Sequence, residues 1–452
     1  FTDGYSACPV CSPTRAALLT GKYPARLHIT DWIAGHERPK AKLRIPDWQK
    51  FLPFEEITLA EQLKSAGYAT ASIGKWHLTP PYERNIGGPR TRWPLSKGFD
   101  RFYGFMAGET DQYYPDLVHD SHAIDPPKTP AEGYHLTEDL ADRAIAYLKD
   151  LRAYSPTQPF FMYFAPGAAH APHQAPKEFI DPYKGKFDMG WDTWREQVFA
   201  RQVESGLLPR GTQLSERPAW VPEWSTLSAD EKRLYTRMME VFAGFMAHTD
   251  AQVGCILDSL DEMGVADNTI FVYLTGDNGA SAEGTVNGAW SAPSFQNGIP
   301  EDPEWILDHI DDFGSAKCEN HYNLAWAWAL DSPFQWMKQI ASHFGGTRNA
   351  MAVQWPARIK DAGGLRSNFH HVTDIFATLL DAAGIEAPSH VNGLAQMPID
   401  GVSMVPAFMN ASAPENHITQ YFEMFGNRAM YHDGWIASCL DRKSTRLNSS
   451  HI

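Results

Sequence analysis

The chain has 452 residues, 43% of them hydrophobic, and a formal net charge of −15. That length exceeds what a single small core needs and predicts one large α/β domain with appended or inserted material. The negative charge argues against a nucleic acid or an anionic membrane surface as partner, and no apolar run is long enough to span a bilayer. An anionic substrate would therefore have to be met by a local basic pocket. The cysteines Cys8, Cys11, Cys255, Cys318 and Cys439 form an odd, irregularly spaced set. They give neither a disulfide framework nor the paired clusters of a structural zinc site.

The first element is the run Cys11-Ser12-Pro13-Thr14-Arg15-Ala16-Ala17-Leu18-Leu19-Thr20-Gly21. Ser12 is placed to cap a helix whose first position is Pro13, and Gly21 closes it after roughly two turns. Cys11 then sits just outside a helix N-terminus, where free N–H groups favour an anion, and Arg15 lies about one turn along. A cysteine in that setting is a nucleophile or a target for modification.

Thr58-Leu59-Ala60-Glu61 reads as a capping box opening a helix that ends near Gly67. Tyr68 to Ile73 then reads as a strand delivering Gly74-Lys75-Trp76-His77. Leu136 to Leu151 is helical in pattern, and Pro159 to Phe164 is a buried strand delivering Ala169-His170-Ala171-Pro172-His173. Ser228-Ala229-Asp230-Glu231 is a second capping box, starting a helix that runs to about Met263. Thr269 to Leu274 is a strand delivering Gly276-Asp277-Asn278-Gly279. This alternation predicts βα units around a mostly parallel central sheet sandwiched by helices. Each polar cluster follows the C-terminal end of a strand, where open α/β sheets form their ligand crevice.

Residues 178–225 and 281–331 break the pattern with many Trp, Pro and charged residues. They read as insertions over the sheet edge, either pocket walls or scaffold. Trp191, Trp194, Trp220 and Trp224 either stack on a substrate ring or simply pack. Asp277 and Asn278 are oxygen donors suited to a hard cation, or else an ordinary Asp-Asn-Gly turn.

The string Cys-x-Pro-x-Arg followed by Ala-x-Leu-Leu-Thr-Gly resembles the signature of the type I, formylglycine-dependent sulfatases of the alkaline phosphatase superfamily. Gly74-Lys75-Trp76-His77-Leu78, His170-Ala171-Pro172-His173-Gln174-Ala175-Pro176 and Phe344-Gly345-Gly346-Thr347-Arg348 recur downstream in family order. The later motifs are similar to those of bacterial arylsulfatases, and the likeness extends to about Trp435. It implies an alkaline-phosphatase-like α/β/α sandwich that hydrolyses small-molecule or carbohydrate sulfate esters. A formylglycine-generating enzyme would convert Cys11 to formylglycine (3-oxoalanine), whose hydrate is the nucleophile.

The same resemblance assigns roles along the chain. Arg15 would orient the hydrate, Lys75 would touch nucleophile and sulfate, and His77 would act as base in the elimination step. His170 would bind sulfate and protonate the leaving oxygen, with His173 structural or supporting. Lys338 is the candidate for a further sulfate ligand, with His343 competing. Asp277, Asn278 and the modified Cys11 would hold Ca²⁺ or Mg²⁺. The superfamily also contains phosphonate and phosphate monoester hydrolases, which are the alternative reading, beside an inactive anion-binding fragment. The resemblance further implies a first strand with an Asp-Asp metal pair ahead of Phe1 and a smaller C-terminal domain. On that expectation residues 1–435 are a catalytic domain lacking its first strand, the C-terminal domain is largely missing, and 441–452 is a non-native-looking tail. The location is left open by the sequence: the family slightly favours the periplasm or secretion, with the cytoplasm as the alternative.

Overall fold

Strands form where the apolar runs predict them, each a residue or two further along the chain. The computed structural model describes residues 1–35, 45, 47–85, 87–276, 278–391 and 393–440, so Asp277 and the 441–452 tail lie outside the described residues. Nine strands make up the core: β1 (Gly4–Tyr5), β2 (Ala69–Lys75), β3 (Arg101–Phe105), β4 (Leu117–His119), β5 (His122–Ile124), β6 (Phe160–Ala165), β7 (Phe271–Thr275), β8 (Arg348–Gln354) and β9 (His370–His371). They form two sheets, ordered β5-β4-β3-β2-β6 and β7-β8-β1-β9.

The pairs around β2, whose strands β2 and β6 carry two of the polar clusters, are parallel: Ala71 of β2 lies opposite Arg101 of β3 and Met162 of β6. Elsewhere the sheets depart from the mostly parallel arrangement expected. β4 and β5 fold back antiparallel on β3, and β8 runs antiparallel to both β7 and β1. The turn between β4 and β5 is too short for a crossover, so those strands can only be antiparallel neighbours. The α/β class holds, with mixed sheets.

Helix α1 (Cys11–Thr20) starts earlier than the sequence pattern suggests. Cys11 is its first residue rather than a flanking one, and Val10 is the N-cap, with no side-chain cap. Ser12 does not cap because its hydroxyl is used elsewhere: it donates to the His77 carbonyl at 3.0 Å and accepts from the Ile33 N–H at 3.0 Å. Pro13 remains within the first turn, where its missing N–H costs nothing. Gly21 ends the helix in the left-handed region, as expected.

The two capping boxes are both present. Thr58 accepts from Glu61 N–H at the start of α2 (Leu59–Ser65), and Ser228 does the same from Glu231 at the head of the helix Ala229–Glu262. Helix α3 (Leu136–Tyr154) packs Leu136, Leu140 and Ala144 against Ile73 and Phe105 on one face of the β2-containing sheet. Trp76, Phe99 and Phe102 fill the other face together with Ala16 and Leu19 of α1. No helix among the described residues is long and apolar enough to cross a membrane.

The two interrupting segments share one core. Within 178–225 the helix Gly190–Glu204 carries Trp191, and within 281–331 the helix Leu324–Leu330 carries Trp326. Trp191, Trp194 and Trp224 all meet the Trp326 ring edge-on, so these indoles pack. Trp220 alone of the four is exposed, stacked on Trp336. Near the C-terminus, strands Thr419–Met424, Asn427–His432 and Trp435–Cys439 form an antiparallel meander. Its last strand runs past the boundary expected at 435. Phe422, Met424 and Tyr431 of the meander bury Tyr5, Cys8 and Val10, bracing the loop that leads into α1.

Two predictions follow from the core. Gly74 has φ +110°, and a Cβ there would lie 2.0 Å from the Ala165 carbonyl oxygen. Gly74→Ala is expected to destabilise the chain by about 2–4 kcal/mol in urea melts, through backbone strain and overpacking at the β2–β6 pair. Burial also pushes His135 down to about 3, His321 to about 4 and His371 to about 3. Their unfolded forms take up protons near pH 6.5 while the folded forms stay neutral, so stability falls as pH drops from 6.5 towards 4. His417, raised by Asp374, opposes this only in part. The urea midpoint is expected to be lower at pH 5 than at pH 7.

Candidate active site

The polar clusters at the ends of β2, β6 and β7 converge on Cys11. A cavity of about 1090 Å³ is lined by Cys11 and Arg15 from α1, Lys75 from β2, His170 beyond β6, Asn278 beyond β7, and Lys338. Arg15 is four residues along α1 from Cys11, on the same helix face. Its Nη1 donates to the Lys75 carbonyl and to the Tyr163 hydroxyl, each at 2.9 Å, so α1, β2 and β6 are tied together at this point. Lys75 is the last residue of β2 and is buried.

His77 follows with a left-handed φ of +59°. Its ring nitrogen Nε2 donates to the Ile33 carbonyl, which leaves Nδ1 as the unprotonated nitrogen of a neutral ring. Burial lowers His77 to about 4, against the opposing pull of a hydrogen bond with Cys11. At neutral pH it is therefore an uncharged acceptor beside the Cys11 sulfur.

His170 and Lys338 face Cys11 from the other side. Nδ1 of His170 donates to the Ala171 carbonyl at 2.9 Å, and Nε2 lies 3.2 Å from Lys338 Nζ. Lys338 also donates to Glu283 at 2.8 Å, and its backbone N–H donates to the Ala280 carbonyl at 3.0 Å, just past β7. Burial opposes its charge, yet Glu283 and Cys11 together raise its pKa. Glu283 is in turn held ionised, its desolvation outweighed by Lys338 and His170.

Cys11 gathers these effects. Burial alone would raise its thiol, but the positive charges of Lys75 and Lys338 hold it well below the ordinary cysteine value. Cys8, only three residues away, is pushed well above that value by burial and by Glu423. Two buried thiols three residues apart thus have opposite character, decided by which one faces the cations.

The sulfatase family model matches residues 1–385. The chain belongs to the sulfatase family. It is 26% identical over 436 residues to an arylsulfatase of Klebsiella aerogenes, covering 93% of this chain and 86% of that protein. It is 27% identical over 445 residues to the uncharacterized sulfatase PB10D8.02c of Schizosaccharomyces pombe, covering 94% of this chain and 76% of the other. The crystal structure of Ps i-CgsB in complex with k-i-k-neocarrahexaose superposes with a TM-score of 0.61 at 20% identity, covering 98% of this chain and 76% of that one. This last likeness concerns the fold alone.

Within this sulfatase the structure brings Cys11, Arg15, Lys75, His77, His170, Asn278 and Lys338 to one place. It also separates the paired candidates in space. His173 is buried among Phe242, Phe245, His321 and Tyr322 and does not itself line the cavity. His343 faces Ser342 and Trp336 instead of Cys11. Sequence reasoning missed Glu283, which neutralises Lys338; Glu109, 3.4 Å from His170; and Tyr163, which anchors Arg15. It also missed Asp331, whose Oδ1 accepts from Ala280 N–H and fixes the loop after β7. None of these belongs to a motif, and no spacing could have marked them.

The cation expected from the family is not held by the residues described. Among them no three His, Cys, Asp or Glu side chains converge as ligands. Asn278 and Cys11 supply one amide and one sulfur, short of the six to eight oxygens that Ca²⁺ takes, and Asp277 is outside the described residues.

The charge environment makes a direct prediction. In the unmodified chain at pH 6, iodoacetamide is expected to label Cys11 ahead of Cys8, read by peptide mass spectrometry. Lys75→Ala or Lys338→Ala removes a cation that favours the thiolate and should slow that labelling about tenfold or more.

Proposed function

We propose that this sulfatase cleaves carbohydrate or aryl sulfate monoesters in the cavity over Cys11, the sulfate held between Lys75, His170 and Lys338. The observation that supports the reading most strongly is the group of cationic and imidazole side chains turned onto one sulfur in a chain of net charge −15. A sulfate ester carries its charge on three oxygens, which need fixed donors in a site shielded from water.

Cys11 within Cys11-Ser12-Pro13-Thr14-Arg15 is the residue to be converted to formylglycine, whose hydrate would supply a hydroxyl nucleophile that a thiol cannot replace through a full cycle. Arg15, tied to the Lys75 carbonyl and Tyr163, keeps that position rigid against β2. Neutral His77 is the proton acceptor beside residue 11, since its Nε2 is occupied by the Ile33 carbonyl. His170 lies with Nε2 at 3.2 Å from Lys338 Nζ, and in its protonated form this ring would give a proton to the leaving alcohol oxygen. Glu283 keeps Lys338 charged and in place. The oligosaccharide bound to Ps i-CgsB and the arylsulfatase of Klebsiella aerogenes suggest the two substrate classes to test first.

The test begins with the Cys11 peptide from cells that also express a formylglycine-generating enzyme. Replacement of sulfur by oxygen with loss of two hydrogens is expected; an unmodified thiol, with a control sulfatase peptide converted in the same cells, would overturn the nucleophile assignment. With converted protein, Lys75→Ala and Lys338→Ala should each lower kcat/KM for 4-nitrophenyl sulfate at least about 100-fold. His170→Ala should slow an alkyl or sugar sulfate more than 4-nitrophenyl sulfate, because only the poorer leaving group needs the proton. A phosphonate ester hydrolysed faster than the sulfate would favour the phosphonate hydrolase reading.

A further inference from the structure

Two indoles close to the site take no part in the Trp-rich core. Trp220 is exposed, and its ring stacks on that of Trp336 with centroids 5.8 Å apart and planes 30° from parallel. Among the described residues neither indole N–H has a hydrogen-bond partner. Trp336 stands two residues before Lys338, so their Cα atoms are at most about 7 Å apart. Trp220 is fixed in a turn: the Val221 N–H donates to the Pro218 carbonyl at 3.0 Å. Arg217, paired with Asp192, donates to the Val221 carbonyl at 2.8 Å.

The backbone is distorted to reach this arrangement. Trp336 has φ +63° and Gln339 φ +76°, two large residues in the left-handed region within four positions. Such residues are costly and persist only where their surroundings impose them, most often at functional sites. Here the Gln335 carbonyl accepts from the Gly345 N–H at 3.1 Å, and the Lys338 N–H donates to the Ala280 carbonyl at 3.0 Å. A Cβ on residue 345 would lie 1.9 Å from the Trp336 carbonyl oxygen, so only glycine fits there. The same short segment thus buries Met337 and Lys338 while it leaves Gln335 exposed and Trp336 half-buried against Trp220.

Neutral polar groups flank the pair. The His343 ring meets Trp336 at 6.3 Å, and its Nδ1 is 2.8 Å from the Ser342 hydroxyl, which leaves Nε2 unengaged among the described residues. Burial lowers its pKa, so this ring is uncharged at pH 7. The amide of Gln335 has no partner among the described residues. A pyranose packs its C–H face on an indole face, and its hydroxyls need neutral donors and acceptors at the edge. We infer that Trp220 and Trp336 form a platform for a pyranose ring of the substrate, with His343 and Gln335 taking its hydroxyls. Lys338, two residues on, holds the sulfate. The inference rests on the sulfate-ester reading above and narrows it to sulfated carbohydrates, since an unsubstituted aryl ring has no hydroxyls for His343 and Gln335 to meet.

Hydroxyl-radical footprinting of the unconverted full chain, read by peptide mass spectrometry, tests the platform without turnover. The probes are galactose 6-sulfate, N-acetylgalactosamine 6-sulfate and glucosamine 6-sulfate, with sodium sulfate and 4-nitrophenyl sulfate as controls. At saturation at least one sugar should lower oxidation of both Trp220 and Trp336 about threefold or more relative to Trp435, which is 82% exposed. Neither control should do so. In converted protein, Trp220→Ala should lower kcat/KM for that sugar at least about tenfold more than for 4-nitrophenyl sulfate, chiefly through KM. Trp220→Phe should recover most of the loss. Protection by none of the sugars, equal protection by 4-nitrophenyl sulfate, or an equal loss on both substrates would overturn the inference. Sugar protection in a converted protein that hydrolyses no sulfate ester would refute the sulfatase reading and still support the platform.

Discussion

Placing several positive charges in a largely buried pocket is the constraint on which the rest of this structure depends. Lys75, Lys338 and Arg15 are all buried, and an unpaired cation there would be several kcal/mol too costly to retain. Each is therefore held by a partner from another part of the chain. Arg15 uses the Lys75 carbonyl and Tyr163, and Lys338 uses Glu283 and His170. The charge on the Cys11 side completes the balance. Removing any of these partners leaves a buried charge exposed to the others, so the group behaves as one unit.

That unit is assembled by ordinary backbone geometry. Parallel pairing of β2 with β6 brings Lys75 and His170 out at the same end of the sheet. Gly74 lets β2 pass the Ala165 carbonyl closely enough for this. Helix α1 then enters across those strand ends with Cys11 in its first turn, where its free N–H groups add to the field of the lysines. The Trp-rich core joins residues 178–225 to 281–331, and the later stretch contains Glu283 and Asp331. That stretch thus supplies the carboxylate that holds Lys338.

Much of this was legible in the sequence because motifs and capping signals are local. Cys11, Arg15, Lys75, His77 and His170 were readable from short strings, and Thr58 and Ser228 marked their helices through the box formed with Glu61 and Glu231. Other readings failed where local chemistry had a stronger distant competitor. Ser12 looks like a cap but binds the His77 carbonyl and the Ile33 N–H. The parallel sheet predicted from βα alternation gave way where β4 and β5 are joined too tightly to cross over. Spacing favoured Lys338 over His343, and the fold sets Lys338 beside Ala280 and His170 while His343 faces Ser342 and Trp336.

By itself the sequence determined the chemistry: which side chains carry charge, which thiol lies near a helix N-terminus, and where strands end in polar groups. These follow from the order of residues along a few turns or a single strand. The tertiary structure decided which of two cysteines is acidic and which carboxylate neutralises Lys338. Those outcomes depend on distances between residues far apart in the chain, set by packing, which no local pattern encodes.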